Sequence, residues 1–332
     1  MTGTVIITGA NGSLALGFVD HLLSTYPSYT LLATVRNPSQ ASDANTAKLA
    51  KIISSKNTSS AHIEALDLAS LASVRSFAET TAKRIATGEI PPISALVCNA
   101  MTWSLSEQLY TPDGMERTFQ VGHLSQYLLV LKLLGSMAKD GRVVLLGSTA
   151  HYTDRPNPLA KLIAEFPEDV NLLIKPTPDE PGQEHDRGFQ RYGTTKLANV
   201  MLMHDLNEKL QKDPKLSNIT ATAMDPGGLV DSRANYKQKP GPRAIFTVVN
   251  WLIPVLKHLT TDVRRSADAG KDLVEVSVGP SFKDVRGYHI GIRRGDPTPS
   301  SQDVDKRKTL WKACWEWAGL EKHETALSGA AP

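Results

Sequence analysis

Cysteine is nearly absent: Cys98 and Cys314 are the only two in 332 residues. That excludes a disulfide scaffold, and no Cys-x-x-Cys or Cys/His cluster offers metal-ligand spacing. Charge of one sign is lacking too. Lysine and arginine total 37 against 34 acidic residues, a scattered balance of +3 that leaves no footprint for nucleic acid. No apolar run approaches the ~20 residues that cross a bilayer, and the best candidate, 244–259, is interrupted by Pro254. Met1 leads straight into Thr4-Val5-Ile6-Ile7 without a secretory pattern, and Gly329-Ala330-Ala331-Pro332 carries no sorting signal, so a cytoplasmic location is expected. Internal repeats and low-complexity tracts are missing. Hydrophobic residues at 41% and charged residues at 21% fit an ordinary folded chain.

What is present is a rhythm. Short apolar runs alternate with helical patterns, which predicts an α/β, doubly wound parallel sheet covered on both faces. Seven strands are expected, at 4–8, 30–35, 62–66, 95–99, 142–147, 220–224 and near 288–292. Amphipathic stretches such as 71–85 and 192–210 supply helices between them. Two zones break the pattern: 151–191, which holds Pro156, Pro158, Pro167, Pro176, Pro178 and Pro181, and 233–260. Long irregular connections of this kind commonly carry function.

The first strand ends in Thr8-Gly9-Ala10-Asn11-Gly12-Ser13-Leu14, and a helical pattern follows. Small residues there let a pyrophosphate approach unpaired N–H groups at the positive end of a helix, although a ligand-free glycine turn would read the same way. The second strand ends at Arg36 and lacks the carboxylate that would hold a ribose 2′-hydroxyl. An arginine fork suits a 2′-phosphate instead; the plain alternative is a solvated cation. Asp67-Leu68 closes the third strand and Asn99 the fourth, both at the carboxyl edge where such sheets bind ligands. Asp67 could accept from an adenine amine or cap the helix that begins near Ser70. Cys98, inside a strand, reads as a small core residue.

Ser148 follows the fifth strand, and Tyr192-Gly193-Thr194-Thr195-Lys196 is expected at the head of a helix. Four residues apart, Tyr192 and Lys196 share one helical face. An ammonium beside a phenol favours phenolate and draws its pKa toward neutrality, and Ser148 could hold the same substrate oxygen. Taken singly, Tyr-x-x-x-Lys is equally a surface pair.

Together these pieces resemble the short-chain dehydrogenase/reductase family from Thr4 to about Gly295. The resemblance implies a Rossmann fold and an NADP(H)-dependent oxidoreductase with catalytic Ser148, Tyr192 and Lys196. It places Thr8, Gly9, Asn11, Ser13, Leu14, Arg36, Asp67, Leu68, Asn99, Tyr192, Lys196, Pro226, Gly227 and Leu229 at the cofactor, with no metal. It further implies a single domain over 1–295, with insertion 151–191 and a substrate lid at 233–260, then a helical extension and tail at 296–332. Ser148-Thr149-Ala150-His151, the Tyr192–Asn199 stretch and the tail from Leu310-Trp311 to Leu320 are similar to retinol dehydrogenases, protochlorophyllide reductases and fungal secondary-metabolite reductases.

The chain departs from that pattern. Ser13 and Ala15 stand where glycines are usual, Met101 replaces the glycine after Asn99-Ala100, and Gly122 replaces an asparagine behind the lysine. His123, about 100° further round a regular helix, is expected to point elsewhere. His151 could line the substrate pocket or be a hydrogen-bonded loop residue. Trp311, Trp315 and Trp317 read as packing. The expected reaction is hydride transfer to the carbonyl of a bulky, largely apolar ketone, or the reverse alcohol oxidation, by a monomer or homodimer. A redox-neutral cofactor-binding protein and a reductase of an activated C=C bond are the alternatives.

Overall fold

The computed structural model describes residues 2–41, 43–56, 60–234, 249–251 and 263–332. Most of the expected lid, 235–248 and 252–260, lies outside the described residues. Six strands alternate with helices along the first two thirds of the chain: β1 (Thr4–Ile7), β2 (Thr30–Val35), β3 (Ala61–Ala65), β4 (Ile93–Cys98), β5 (Met137–Leu146) and β6 (Thr220–Asp225). After them come the short β7 (Gly228–Leu229) and β8 (Val263–Arg264), then β9 (Gly287–Ile290) and β10 (Arg293–Arg294). Among the described residues the main sheet has eight strands in the order β10-β9-β6-β5-β4-β1-β2-β3. All pairs are parallel except β10 on β9. The seven expected strands are the seven parallel ones; β10 is an added antiparallel edge, and the last parallel strand stops at Ile290.

Every residue of β1, β2 and β6 is buried, which explains their unbroken apolar or small-residue runs. One face is covered by α1 (Ser13–Thr25), α2 (Ala44–Ser55) and α7 (Ser266–Val278). The other carries α3 (Leu71–Ala86), α5 (Ser125–Leu133), α6 (Glu184–Lys212) and α8 (Val304–Trp317). A single turn, α4 (Arg117–Phe119), runs through a π turn at Gln120–Leu124 into α5. Strand order reverses between β1 and β4, opening a crevice at their carboxyl ends.

Three details position the site. Helix α6 begins at Glu184, so Tyr192 sits in its third turn and not at its head, and the tail of the proline-rich zone is helical. The prolines stop at Pro181, after which nothing in the chain opposes a helix. At the far end, α8 and the following residues clasp α6: Arg307 reaches Asp205 (3.3 Å) and Glu208 (2.7 Å). The Trp311 indole donates to the Ala330 carbonyl (2.6 Å), and Asp213 accepts from the Ser328 N–H (2.8 Å). Trp311 and Trp315 are buried in this contact and serve packing. Finally β7 and β8 lie side by side, bringing together the two ends of the segment between Leu229 and Val263.

Candidate active site

The turn after β1 is set by a side chain from β4's end. Asn99 donates its amide to the Thr8 carbonyl (2.8 Å), while the Thr8 hydroxyl accepts from the N–H groups of Asn99 and Ala100 (both 3.0 Å). Gly9 takes the left-handed conformation, φ +64°, and a Cβ there would lie 2.9 Å from that of Ala100. Only glycine meets both demands. Gly12, extended at φ −71°, is the N-cap of α1. Ser13 is already helical, and neither it nor Ala15 needs positive φ, so the missing glycines do not divert the loop. Among the described residues no side chain caps α1, as none caps α6 at Gln183, whereas Asp43, Ser70 and Asp303 cap α2, α3 and α8. An uncapped first turn behind a small-residue loop fits a cofactor pyrophosphate.

Around this cradle, Arg36 stands exposed just past β2. Asn11 is held against α2, donating to the Thr46 hydroxyl (2.9 Å) and accepting from Asn45 (3.1 Å) at its carbonyl. Asp67 does not cap α3. Its carboxylate accepts from the Ala69 N–H (2.9 Å), and Ser70 is the cap. Leu68 is buried, its carbonyl accepting from the Ser125 hydroxyl (2.6 Å); Leu14 is buried on α1. Sequence reasoning missed Arg233 and Asp43. The Arg233 N–H donates to the Ser13 hydroxyl (3.0 Å) and its guanidinium pairs with Asp43 (2.8 Å), strapping the chain beyond β7 across the turn.

On the other side of the crevice Ser148 lies just beyond β5, and its hydroxyl hydrogen-bonds to Tyr192. His151 is structural: its ring bonds the Ser148 carbonyl through Nδ1 (2.7 Å) and accepts the Thr298 N–H at Nε2 (3.0 Å). Tyr192 packs edge-on against Trp103 (4.8 Å) and Phe189 (5.8 Å). Leu105, Ala150, Met101, Leu159, Ala160 and Ala234 complete this apolar wall. Burial pushes the Tyr192 phenol up to about 12, with the Ser148 hydrogen bond opposing and the Asp225 charge reinforcing the rise. The expected lowering by Lys196 is absent for a geometric reason. The ammonium is tied back to the Leu146 carbonyl (2.8 Å), 5.7 Å from the centre of the Tyr192 ring. Burial brings Lys196 itself down to about 8, against the pull of Asp225. Asp225 is buried under the Pro226-Gly227 turn, accepting from the Gly227 N–H (2.8 Å) and the Tyr288 hydroxyl (3.3 Å).

A short-chain dehydrogenase from Talaromyces variabilis, iccH, is 32% identical to this chain over 98% of both. The chain belongs to the short-chain dehydrogenase/reductase family. Residues 243–327 also match the AcuH dehydrogenase domain. A protochlorophyllide reductase from Avena sativa is 26% identical, with 95% of this chain and 99% of that one aligned. Among solved structures, the angucycline C-6 ketoreductase LanV with bound NADP superposes with TM-score 0.60 at 17% identity, covering 87% of this chain and 93% of its own. That likeness is one of fold.

This short-chain dehydrogenase also differs from the expectation for His123. The π turn closes a wider ring, Ser125 N–H to Gln120 carbonyl, and carries His123 inward. Its Nδ1 meets Asn199 Oδ1 at 2.9 Å, and both side chains are buried. In the sequence Asn199 stood only as the last residue of the Tyr192–Asn199 stretch that carries the family resemblance, with no role of its own.

Proposed function

We propose that the chain is an NADP(H)-dependent reductase of the carbonyl group of a bulky, largely apolar ketone, able to run the reverse alcohol oxidation. The observation that carries this reading is the meeting of Ser148, Tyr192 and Lys196 at the carboxyl edge, beside the uncapped start of α1. The turn Thr8–Leu14 would take the pyrophosphate, Arg36 the 2′-phosphate, Asp67 and Leu68 the adenine side, and Asn99, Pro226, Gly227 and Leu229 the nicotinamide side. NADP bound in the ketoreductase LanV supports the choice of cofactor. When bound, the reduced nicotinamide supplies hydride.

The chain's own groups manage the oxygen and the proton. Ser148 and Tyr192 hydroxyls hold the carbonyl oxygen by two hydrogen bonds. A phenol kept protonated by burial then releases its proton to that oxygen as negative charge develops there. Lys196, positively charged below about pH 8 and held on the Leu146 carbonyl, would offer its remaining N–H groups to ribose hydroxyls. The apolar wall around Trp103 and Phe189 supports a substrate with a bulky apolar body. Among the described residues no helix is long and apolar enough to cross a membrane.

Loss of NADPH absorbance across a panel of ketones tests this directly. Tyr192→Phe should cut turnover by about 10²–10⁴-fold while NADPH binding, followed by fluorescence, stays intact. Full activity in that variant would sink the proton-donor role. Substrate turnover with no change in NADPH absorbance would overturn the reductase.

A further inference from the structure

Position 122 has no side chain, and the space where one would start is taken by Thr195, whose Cγ2 lies 2.7 Å from an ideal Cβ. The neighbouring polar groups are met from the opposite helix. The Asn199 amide nitrogen donates to the Gly122 carbonyl and to the Leu146 carbonyl, both at 3.2 Å. The Leu146 oxygen is the same one that holds the Lys196 ammonium at 2.8 Å. A carbonyl has two lone pairs, and these two donors use both.

The orientation of Asn199 follows from the Gly122 and Leu146 carbonyls, which can only accept, and His123 braces its other side. Asn199 Oδ1 can only accept, so the 2.9 Å contact fixes the imidazole proton on Nδ1 and leaves the amide hydrogens facing the two carbonyls. The reversed amide would set Oδ1 against two carbonyl oxygens. His123 stays neutral near pH 7, because burial lowers it to about 4. It is packed against Phe119 (5.2 Å) and Tyr127 (6.5 Å), so the imidazole has a fixed place.

We propose that Asn199, braced by His123, is the positioning residue for Lys196: by filling the second lone pair of the Leu146 carbonyl it fixes where the ammonium sits and which way its free N–H groups point. This rests on the reductase reading only for what Lys196 then does; the placement is a property of the chain. The titratable groups facing Lys196 are Tyr192 on its own helix, Asp225 on β6 and, across Asn199, His123. Asn199 adds no charge to this set. Exchanging it for a carboxylate of the same shape puts a negative group one shared oxygen away from the ammonium.

The test follows Lys196 without any substrate. In full-length protein labelled with 13Cε-lysine, the Lys196 resonance is assigned by its loss in Lys196→Arg and titrated in wild type, Asn199→Asp and Asn199→Leu. Asn199→Asp keeps the bond to His123 but sets its second oxygen against the Gly122 and Leu146 carbonyls, so the ammonium should be drawn from Leu146 toward the carboxylate and its midpoint should rise by one unit or more. Asn199→Leu should displace the Lys196 resonance from its wild-type position. With ketone and NADPH, both variants should lose 10-fold or more in kcat, with the alkaline limb of the pH profile moved upward in Asn199→Asp. His123→Phe, which keeps a ring but frees the amide, should lose about 3-fold. A Lys196 midpoint within 0.2 units of wild type in Asn199→Asp, with an unmoved resonance in Asn199→Leu, overturns the proposal even if the enzyme is a reductase. Should Asn199→Leu fail to fold, the Asn199→Asp midpoint decides alone. A wild type that fails to oxidise NADPH overturns the reductase reading, and the Lys196 titration then decides the role of Asn199 by itself.

Discussion

Burying an ammonium has a cost that can be read against pH. Unfolded lysine titrates near 10.5 and Lys196 near 8, so the charged side chain weighs fully on the folded state below pH 8. Between those values the folded chain has shed the proton and the unfolded one has not, and the penalty fades as pH rises. Lys196→Met should therefore raise stability at pH 7 by about 1–3 kcal/mol, read as a higher urea midpoint, while activity is lost. The Leu146 carbonyl keeps the Asn199 donor in that variant, so no acceptor is orphaned. A lower midpoint would show that the ammonium is better paired than its burial implies. The same titration should make kcat/KM of the wild type fall as pH rises through about 8.

At the scale of elements, the contact between the π turn and α6 is fitted around one methyl group. The Thr195 hydroxyl donates to the Arg191 carbonyl (2.8 Å), which fixes the rotamer and aims Cγ2 at Gly122. Gly122→Ala should cost about 1–3 kcal/mol by overpacking. Adding Thr195→Ser, which keeps the hydroxyl bond and removes the methyl, should restore most of it. Equal urea midpoints for Gly122→Ala and wild type would show that the π turn gives way freely. This contact also marks what sequence could not supply. The strands and the turn after β1 were legible because apolar runs and small residues act locally. His123 was misdirected because 3.6 residues per turn was applied to a stretch wound as a π turn. The partnership of Asn199 with Gly122 joins residues far apart in the chain, and no local pattern encodes it.

For the whole molecule, acid is the vulnerable direction. Burial lowers His123, His151 and His204 from 6.5 to about 4. As pH falls through that window the unfolded chain takes protons that the folded one refuses, and stability drops by up to about 1.4 kcal/mol per pH unit for each such histidine. Asp205, raised to about 6 by burial, works the other way below that pH and offsets part of the loss. Urea midpoints should decline from pH 7 to pH 5; a flat profile would mean that these rings take up protons in place. The expected cofactor cradle and the trio Ser148, Tyr192 and Lys196 came from residue types at fixed offsets around strands. The strap from Arg233 to Asp43 did not, because an exposed ion pair leaves no periodic trace.

The clasp on α6 places the site in time as well as space. Ser328 and Gly329 hold the far end of the helix that carries Tyr192 and Lys196, through Asp213 and Lys209, and roughly 120 residues separate that end from Ala330. A ribosome adding 5–20 residues per second needs roughly 6–24 s to cover that length. For that interval the nascent helix is exposed where Trp311 and Ala330 will later cover it, and chaperones and proteases meet it in its unfastened form.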